Sequence, residues 1–133
     1  MAKRKVTSRR LAIVLARACA ENRCRDVVLL DLRRRSPVTD FFVLATGTSG
    51  RQIRTVVERA REAARELEQR PLSDEGAETG WWALLDFFDV VVHVFSQEAR
   101  QYYDLELLWG DAPHTDWRKG WEPRAGAAAR ETA

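Results

Sequence analysis

Apolar residues recur along this 133-residue chain with two different periods, and the switches between them mark its elements. From Ser8 the period is helical. Leu11, Val14, Leu15 and Ala18 fall at i, i+3, i+4 and i+7, which predicts a helix with Arg9, Arg10 and Arg17 turned to solvent and an end at Asn22-Arg23. Asp26 to Leu32 is an apolar run without alternation, the pattern of a central strand buried on both faces. Arg33 to Pro37 form a loop, and Thr39-Asp40 open a second strand, Phe41 to Thr46. Gly47-Thr48-Ser49-Gly50 is a tight turn directly before the clearest helix of the chain. Its stripe is Ile53, Val56, Val57, Ala60, Ala63, Ala64 and Leu67, and its other face carries charges, with Arg54/Glu58 and Glu62/Arg65 spaced for contact. Pro71 stops it. Residues 71–80 admit either a short edge strand around Leu72 or a plain loop.

The richest stretch is 80–113. As a strand, Trp81 to Phe87 places Trp82, Leu84 and Asp86 on one side and Trp81, Ala83, Leu85 and Phe87 on the other. Asp89 breaks the pattern, and Val90 to Phe95 form a β-branched second strand. Ser96 is an N-cap with Glu98 in the first turn, and this helix is expected to run to about Trp109, before Gly110. The order of elements suits an α/β fold: a single domain with a mixed sheet of four to five strands packed with helices. The short loops at 33–38 and 88–89 favour antiparallel pairing in part of it. We place the domain at 8–113, with a basic extension at 1–7 and a flexible tail at 114–133, whose last ten residues offer little to bury.

Composition narrows the class. The length suits one domain with a real core. At 45% hydrophobic and 32% charged residues, with apolar runs of at most six, the chain reads as a globular protein without a membrane span or signal peptide. Cys19 and Cys24 fit neither a disulfide framework nor a zinc site, which points to a reduced, cytosolic compartment. The net charge of +2 hides an asymmetry. Residues 1–70 hold 17 Lys/Arg and 8 Asp/Glu, a net +9, and residues 71–133 hold 5 and 12, a net −7. The acidic half suits a basic protein partner, and the basic half suits nucleic acid or neutralises the other half across the fold.

Candidate chemistry is sparse. The Gly47–Gly50 turn before a helix suits a phosphate cradle and resembles the start of a nucleotidyltransferase site, but it lacks a P-loop Lys. The paired carboxylates that would hold Mg²⁺ are also missing downstream, where only Glu58 and Glu62 follow, on a solvated face. Asp86 and Asp89 suit acid–base work or, for Asp89 especially, a turn that bonds its own backbone. His93 reads as a structural histidine rather than a metal ligand. We therefore expect no catalytic residues, no metal and no cofactor. Trp82, Leu84, Tyr103, Leu105 and Trp109 remain, large side chains near acids that serve either as core or as interface anchors.

Those residues also carry a family resemblance. The chain resembles the ribosomal silencing factor family, RsfS or Iojap, at Asp26, Asp31-Leu32, Thr39-Asp40-Phe41-Phe42-Val43, Gly47-Thr48-Ser49 and Arg51-Gln52. The resemblance is most specific in Trp82-x-Leu84-x-Asp86-x-x-Asp89-Val90-Val91-Val92-His93-x-Phe95 and Tyr103-x-Leu105-Glu106-x-Leu108-Trp109-x-Asp111-Ala112. It implies a nucleotidyltransferase-like fold without the catalytic carboxylates. It also implies binding to the large ribosomal subunit through that subunit's ribosomal protein fourteen, which blocks the small subunit and silences translation when nutrients are short. Family members are often homodimers. From the basic residues, and not from the resemblance, we also expect a peripheral contact with ribosomal RNA. On this basis the expected protein-binding residues are Trp82, Asp86, Asp89, Tyr103, Leu105 and Trp109. Phe88 departs from the family, which usually has glycine there, and is expected to exclude a left-handed turn.

Overall fold

A computed structural model describes residues 6–122. Its elements are α1 (Ser8–Glu21), β1 (Arg25–Asp31), β2 (Phe41–Gly47), α2 (Gly50–Glu66), β3 (Ser73–Glu75), β4 (Trp82–Asp86), β5 (Val90–Ser96), α3 (Gln97–Tyr102) and α4 (Leu105–Leu108). The five strands form one mixed sheet in the order β1-β2-β5-β4-β3. β2 and β5 run parallel at its centre, and the β1–β2, β3–β4 and β4–β5 pairs are antiparallel. Short loops give the antiparallel pairs, and α2 belongs to the longer crossover between the parallel ones. Residues 71–80 resolve into the edge strand β3 followed by one 3-10 turn at Ala77–Thr79.

Strand alternation divides the sheet into two faces. Leu29, Phe41, Val43, Ala45, Ala83, Leu85, Val90, Val92 and Val94 bury one face under α1 and α2. The α1 contribution includes Leu11 and Leu15, and that of α2 includes Ile53, Val56, Val57, Ala60 and Ala64, as their periods require. The other face carries Leu30, Leu44 and Phe95, with Phe42 and Trp82 only half-buried, and has the thinner cover of α3, α4 and Ala112. Capping follows local chemistry: Thr7, Ser49 and Ser96 side chains accept the amides of Arg10, Gln52 and Ala99 at the starts of α1, α2 and α3. On the outer face of α2 the ion pairs are Arg59–Glu62 (3.1 Å) and Arg61–Asp74 (2.8 Å), not the expected Arg54/Glu58 and Glu62/Arg65.

Three expectations give way. First, β1 is an edge strand, not a central one. Its apolar run is matched by the segment that follows α4. Asp31 N–H donates to the Pro113 carbonyl (2.9 Å), Thr115 N–H to the Leu29 carbonyl (2.8 Å), and Trp117 Nε1–H to the Val27 carbonyl (3.1 Å). Second, the chain from 114 to 121 is therefore a strap along the sheet edge rather than a flexible tail. Trp117 is 4% exposed and belongs to the main core, with Trp121 packed beside it (ring centroids 5.5 Å apart). The disordered end expected at 124–133 lies outside the described residues, as does nearly all of the basic extension. Third, Arg17 is not a solvated charge. Its Nε and Nη2 donate to the carbonyls of Trp117 (2.9 Å) and Lys119 (3.0 Å), which ties the strap to α1.

The β4–β5 turn keeps a left-handed residue without glycine, contrary to expectation: Phe88 has φ 76°. Asp86 Oδ1 accepts the Phe88 amide (2.7 Å), and the Phe88 carbonyl accepts Thr39 Oγ1–H (3.2 Å), so neighbours pin the strained residue from both sides. Asp86, rather than Asp89, is thus the side chain that holds the turn. Because Phe88 is 56% exposed and buries little, Phe88→Gly is expected to raise stability by about 1 kcal/mol, the steric cost of a side chain in this region. Urea unfolding tests this, with Phe88→Ala as the control that should show no such gain.

Candidate protein-interaction surface

The thinly covered face is built from cross-strand rows. Phe42, Val91 and Asp86 stand side by side in one row, Leu44, His93 and Leu84 in the next, and Thr46, Phe95 and Trp82 in a third. Over the third row the chain does not continue as one helix to Trp109. It leaves helical geometry at Tyr103 (φ −107°, ψ 85°), and the Asp104 carboxylate caps a new turn by accepting the Leu107 amide (3.0 Å). The break lets α4 fold back over the sheet. Arg100 fixes it there: Nε and Nη2 donate to Glu106 Oε1 (3.1 and 2.7 Å), and Nη1 donates to Thr46 Oγ1 (3.0 Å). The guanidinium also lies over the Phe95 ring, 6.0 Å from its centroid.

This arrangement gathers four of the six expected residues. Trp82 packs against Tyr103 (4.8 Å between centroids) and Phe95 (5.0 Å), Trp109 meets Phe42 edge-on (6.1 Å), and Leu105 packs on the same cluster. Trp82, Tyr103, Leu105 and Trp109 are partly exposed, so they act as core and surface at once, whereas Phe95 beneath them is fully buried. Asp86 shares the face but stands four residues along β4, roughly 13 Å from Trp82 at strand spacing. Asp89 lies apart in the β4–β5 turn, where its carbonyl accepts the amides of Asp40 (2.8 Å) and Phe41 (3.1 Å). Three exposed residues add to the six expected ones: Tyr102, whose ring meets Tyr103 edge-on (4.8 Å between centroids), and Leu107 (79% exposed) and Leu108 (72%) on α4. The sequence signal for them was the Asp104 cap, which breaks the helix and changes which side of it is covered. Phe42 and Arg100 escaped notice because their roles depend on partners far along the chain.

His93 lies beneath this surface, between Phe42 (4.7 Å) and Phe95 (5.8 Å, stacked). Its Nδ1 accepts Trp82 Nε1–H (3.1 Å), so the neutral ring carries its proton on Nε2. That nitrogen is buried and has no partner among the described residues, so the histidine is satisfied on one side only. Burial pushes its pKa down from 6.5 to about 4. Between these values the unfolded chain takes up a proton that the folded one refuses. The contribution is therefore whole above pH 6.5 and is lost as pH falls toward 4, by about 3 kcal/mol in all. Unfolding of wild type and His93→Phe between pH 7 and 4 should show a steeper loss for the wild type. Parallel curves would contradict this.

The Gly47–Gly50 turn has other work. Gln52 Oε1 accepts the Thr48 amide, and Ser49 Oγ accepts the Gln52 amide, so the start of α2 is largely satisfied internally. Gly50 meets Gly80 closely: a Cβ on Gly80, which has φ 69°, would stand 3.0 Å from the Gly50 Cα. The cleft beside the turn, of about 530 Å³, is lined by Thr48, Ser49, Trp81, Gln97 and Glu98 among others, with a carboxylate and no Lys or Arg. Among the described residues no group of His, Cys, Asp or Glu side chains could hold a metal ion, and no helix is long and apolar enough to cross a membrane.

The family model described as "Ribosomal silencing factor during starvation" matches residues 5–133. The ribosomal silencing factor RsfS of Bacillus subtilis is 39% identical over 103 residues, covering 77% of this chain and 87% of that protein. A crystal structure of a Chromobacterium violaceum protein aligns over 96% of this chain and 100% of its own, with a TM-score of 0.76 and 29% identity. A second, from Bacillus halodurans, aligns over 81% and 98%, with a TM-score of 0.71 and 32% identity. Several of the residues that carried the resemblance, among them Trp82, Phe95, Leu105, Trp109 and Ala112, pack together on the partly open face, and the chain belongs to the ribosomal silencing factor family.

Proposed function

We propose that this protein silences ribosomes by binding the large subunit and sterically preventing the small subunit from docking. The observation that carries the reading is the open face: Trp82 on the sheet with Tyr103, Leu105 and Trp109 from the segment that folds over it, extended by the exposed Leu107 and Leu108 and interspersed with acids. Aromatic anchors with a polar rim are what a protein interface requires, and the acids suit a basic ribosomal protein, ribosomal protein fourteen of the large subunit in our reading. No chemistry is needed: a 15.3 kDa domain seated on the joining face excludes the partner by volume. The protein acts in the cytoplasm under nutrient limitation, and a homodimer in solution is part of the same reading.

The test is subunit joining. Large subunits are preincubated with the protein, small subunits are added, and the products are separated on a density gradient. Loss of whole ribosomes, with the protein travelling on the large subunit, is the expected result. Normal joining with the protein left at the top of the gradient would overturn the reading. Nucleotide binding or transfer at the Gly47–Gly50 turn gains no support from a cleft that offers a carboxylate and no cation.

A further inference from the structure

The segment that folds over the open face has little of its own to hold it there. α4 is four residues long, buries none of them, and turns Leu107 and Leu108 outward. A helix of that length has no stability by itself, so its place over the sheet is fixed from outside. Leu105 and Trp109 give it apolar contacts, and one side chain gives it a polar anchor. Arg100, in the last turn of α3, donates from all three guanidinium nitrogens: Nε and Nη2 to Glu106 Oε1 on α4 (3.1 and 2.7 Å), and Nη1 to Thr46 Oγ1 on β2 (3.0 Å). Thr46 is buried and stands beside Phe95 in the sheet, and the guanidinium lies over the Phe95 ring. The clasp therefore joins α3, α4, β2 and β5. The Arg100 side chain is 13% exposed. The ion pair that follows the segment, Arg35 with Asp111 (3.2 Å), is looser, because Asp111 is 81% exposed.

We propose that Arg100 is a positioning residue for the docking face: it holds the Tyr103–Trp109 segment in the arrangement that the partner meets, so the face is formed before the encounter. This rests on the reading above and names what keeps that surface ready. Arg100 is too well covered to serve as an anchor and acts through Glu106. Arginine suits the task and lysine does not. A planar fork reaches Glu106 and Thr46 at once, whereas an ammonium is a single point charge. Without the clasp the competent arrangement is one of several, and only a fraction of encounters finds it. The association rate and the affinity both fall by that fraction, and dissociation of the complex is unchanged. A lost contact acts differently, chiefly through faster dissociation.

The experiment measures association and dissociation rates of the full chain with purified large subunits. The variants are Arg100→Gln, Arg100→Lys, Glu106→Gln and the double variant Arg100→Gln/Glu106→Gln, each first shown to be folded by urea unfolding, with Leu108→Ala as the contact comparison. Amide exchange of the free proteins is followed at Leu108 and Trp109, whose N–H groups donate to the carbonyls of Asp104 and Leu105. Each single clasp variant should associate about tenfold more slowly, the effect of losing a charge-assisted hydrogen bond. Its dissociation rate should stay within about threefold of wild type, whereas Leu108→Ala should mainly dissociate faster. The double variant should be no slower than the slower single one, within about twofold, because both break the same clasp. Exchange at Leu108 and Trp109 should be at least about tenfold faster in the clasp variants, with the amides of β5 unchanged. Steering by charge would instead move Arg100→Gln and Glu106→Gln in opposite directions and leave Arg100→Lys at the wild-type rate. Either of those results, a loss confined to dissociation, or unchanged exchange at the two amides overturns the positioning role. If the wild type and every variant fail to bind large subunits, the silencing reading falls, and the exchange rates of the free proteins alone decide whether Arg100 positions this face.

Discussion

Replacing Trp117 with alanine is expected to cost about 3–5 kcal/mol of folding stability, the range for deleting a buried tryptophan. The side chain is 4% exposed within the core formed by α1, α2 and one sheet face, so its loss leaves a cavity there. It also leaves the Val27 carbonyl without the indole donor at a sheet edge (3.1 Å) and loosens the strap on which Arg17 places two hydrogen bonds. A domain of this size typically has about 5–15 kcal/mol in hand, so the variant should be close to unfolding at 37 °C. Urea denaturation measures it, with Trp81→Ala as the comparison, because Trp81 is 39% exposed and lies outside the main core. A cost below about 1 kcal/mol for Trp117→Ala would mean that the strap is not part of the folded domain.

The second large effect concerns binding. Trp109→Ala is expected to weaken association with the large subunit about 30-fold or more, corresponding to the roughly 2 kcal/mol that marks an interface anchor. Trp109 is half-buried against Phe42 at the margin of the open face, next to the exposed Leu107 and Leu108. Tyr103→Ala, which removes the ring packed at a tilt against Trp82, should act in the same direction. Glu62→Ala on the outer face of α2 should change binding by less than a factor of about 3. Sedimentation of the three variants with large subunits, each first shown to be folded, decides the matter. If Trp109→Ala binds like Glu62→Ala, the aromatic surface is not the docking face.

Much of the fold was legible because it is encoded in near neighbours. The stripes of α1 and α2 need only the 3.6-residue period, and the two faces of β4 need only alternation. Trp82, Tyr103, Leu105 and Trp109 stood out by residue type and spacing, and the fold brings them together. Other features misled because the same pattern has two physical origins. The continuous apolar run of β1 reads as a central strand, yet a strap can cover an edge as well as a neighbouring strand can. Tyr102-Tyr103-Asp104 sits inside a helical pattern, and only the choice of Asp104 as a cap breaks it. The positive φ of Phe88 escaped a rule about glycine because Asp86 and Thr39 hold the turn from outside.

By itself, then, the sequence determined the elements, the two faces of the central hairpin, the segregation of charge and the membership of a family. Each depends on side chains within a few positions of one another, where periodicity and capping act. The tertiary structure alone decided the strand order, the strap, the isolation of Asp89 from the aromatic residues and the folding of α4 back over the sheet. These rest on contacts between residues far apart in the chain, such as Trp117 with Val27 across 90 positions and Arg100 with Thr46 across 54. Such pairings are selected by how whole elements pack and by which buried polar groups find partners, and no local pattern records that outcome.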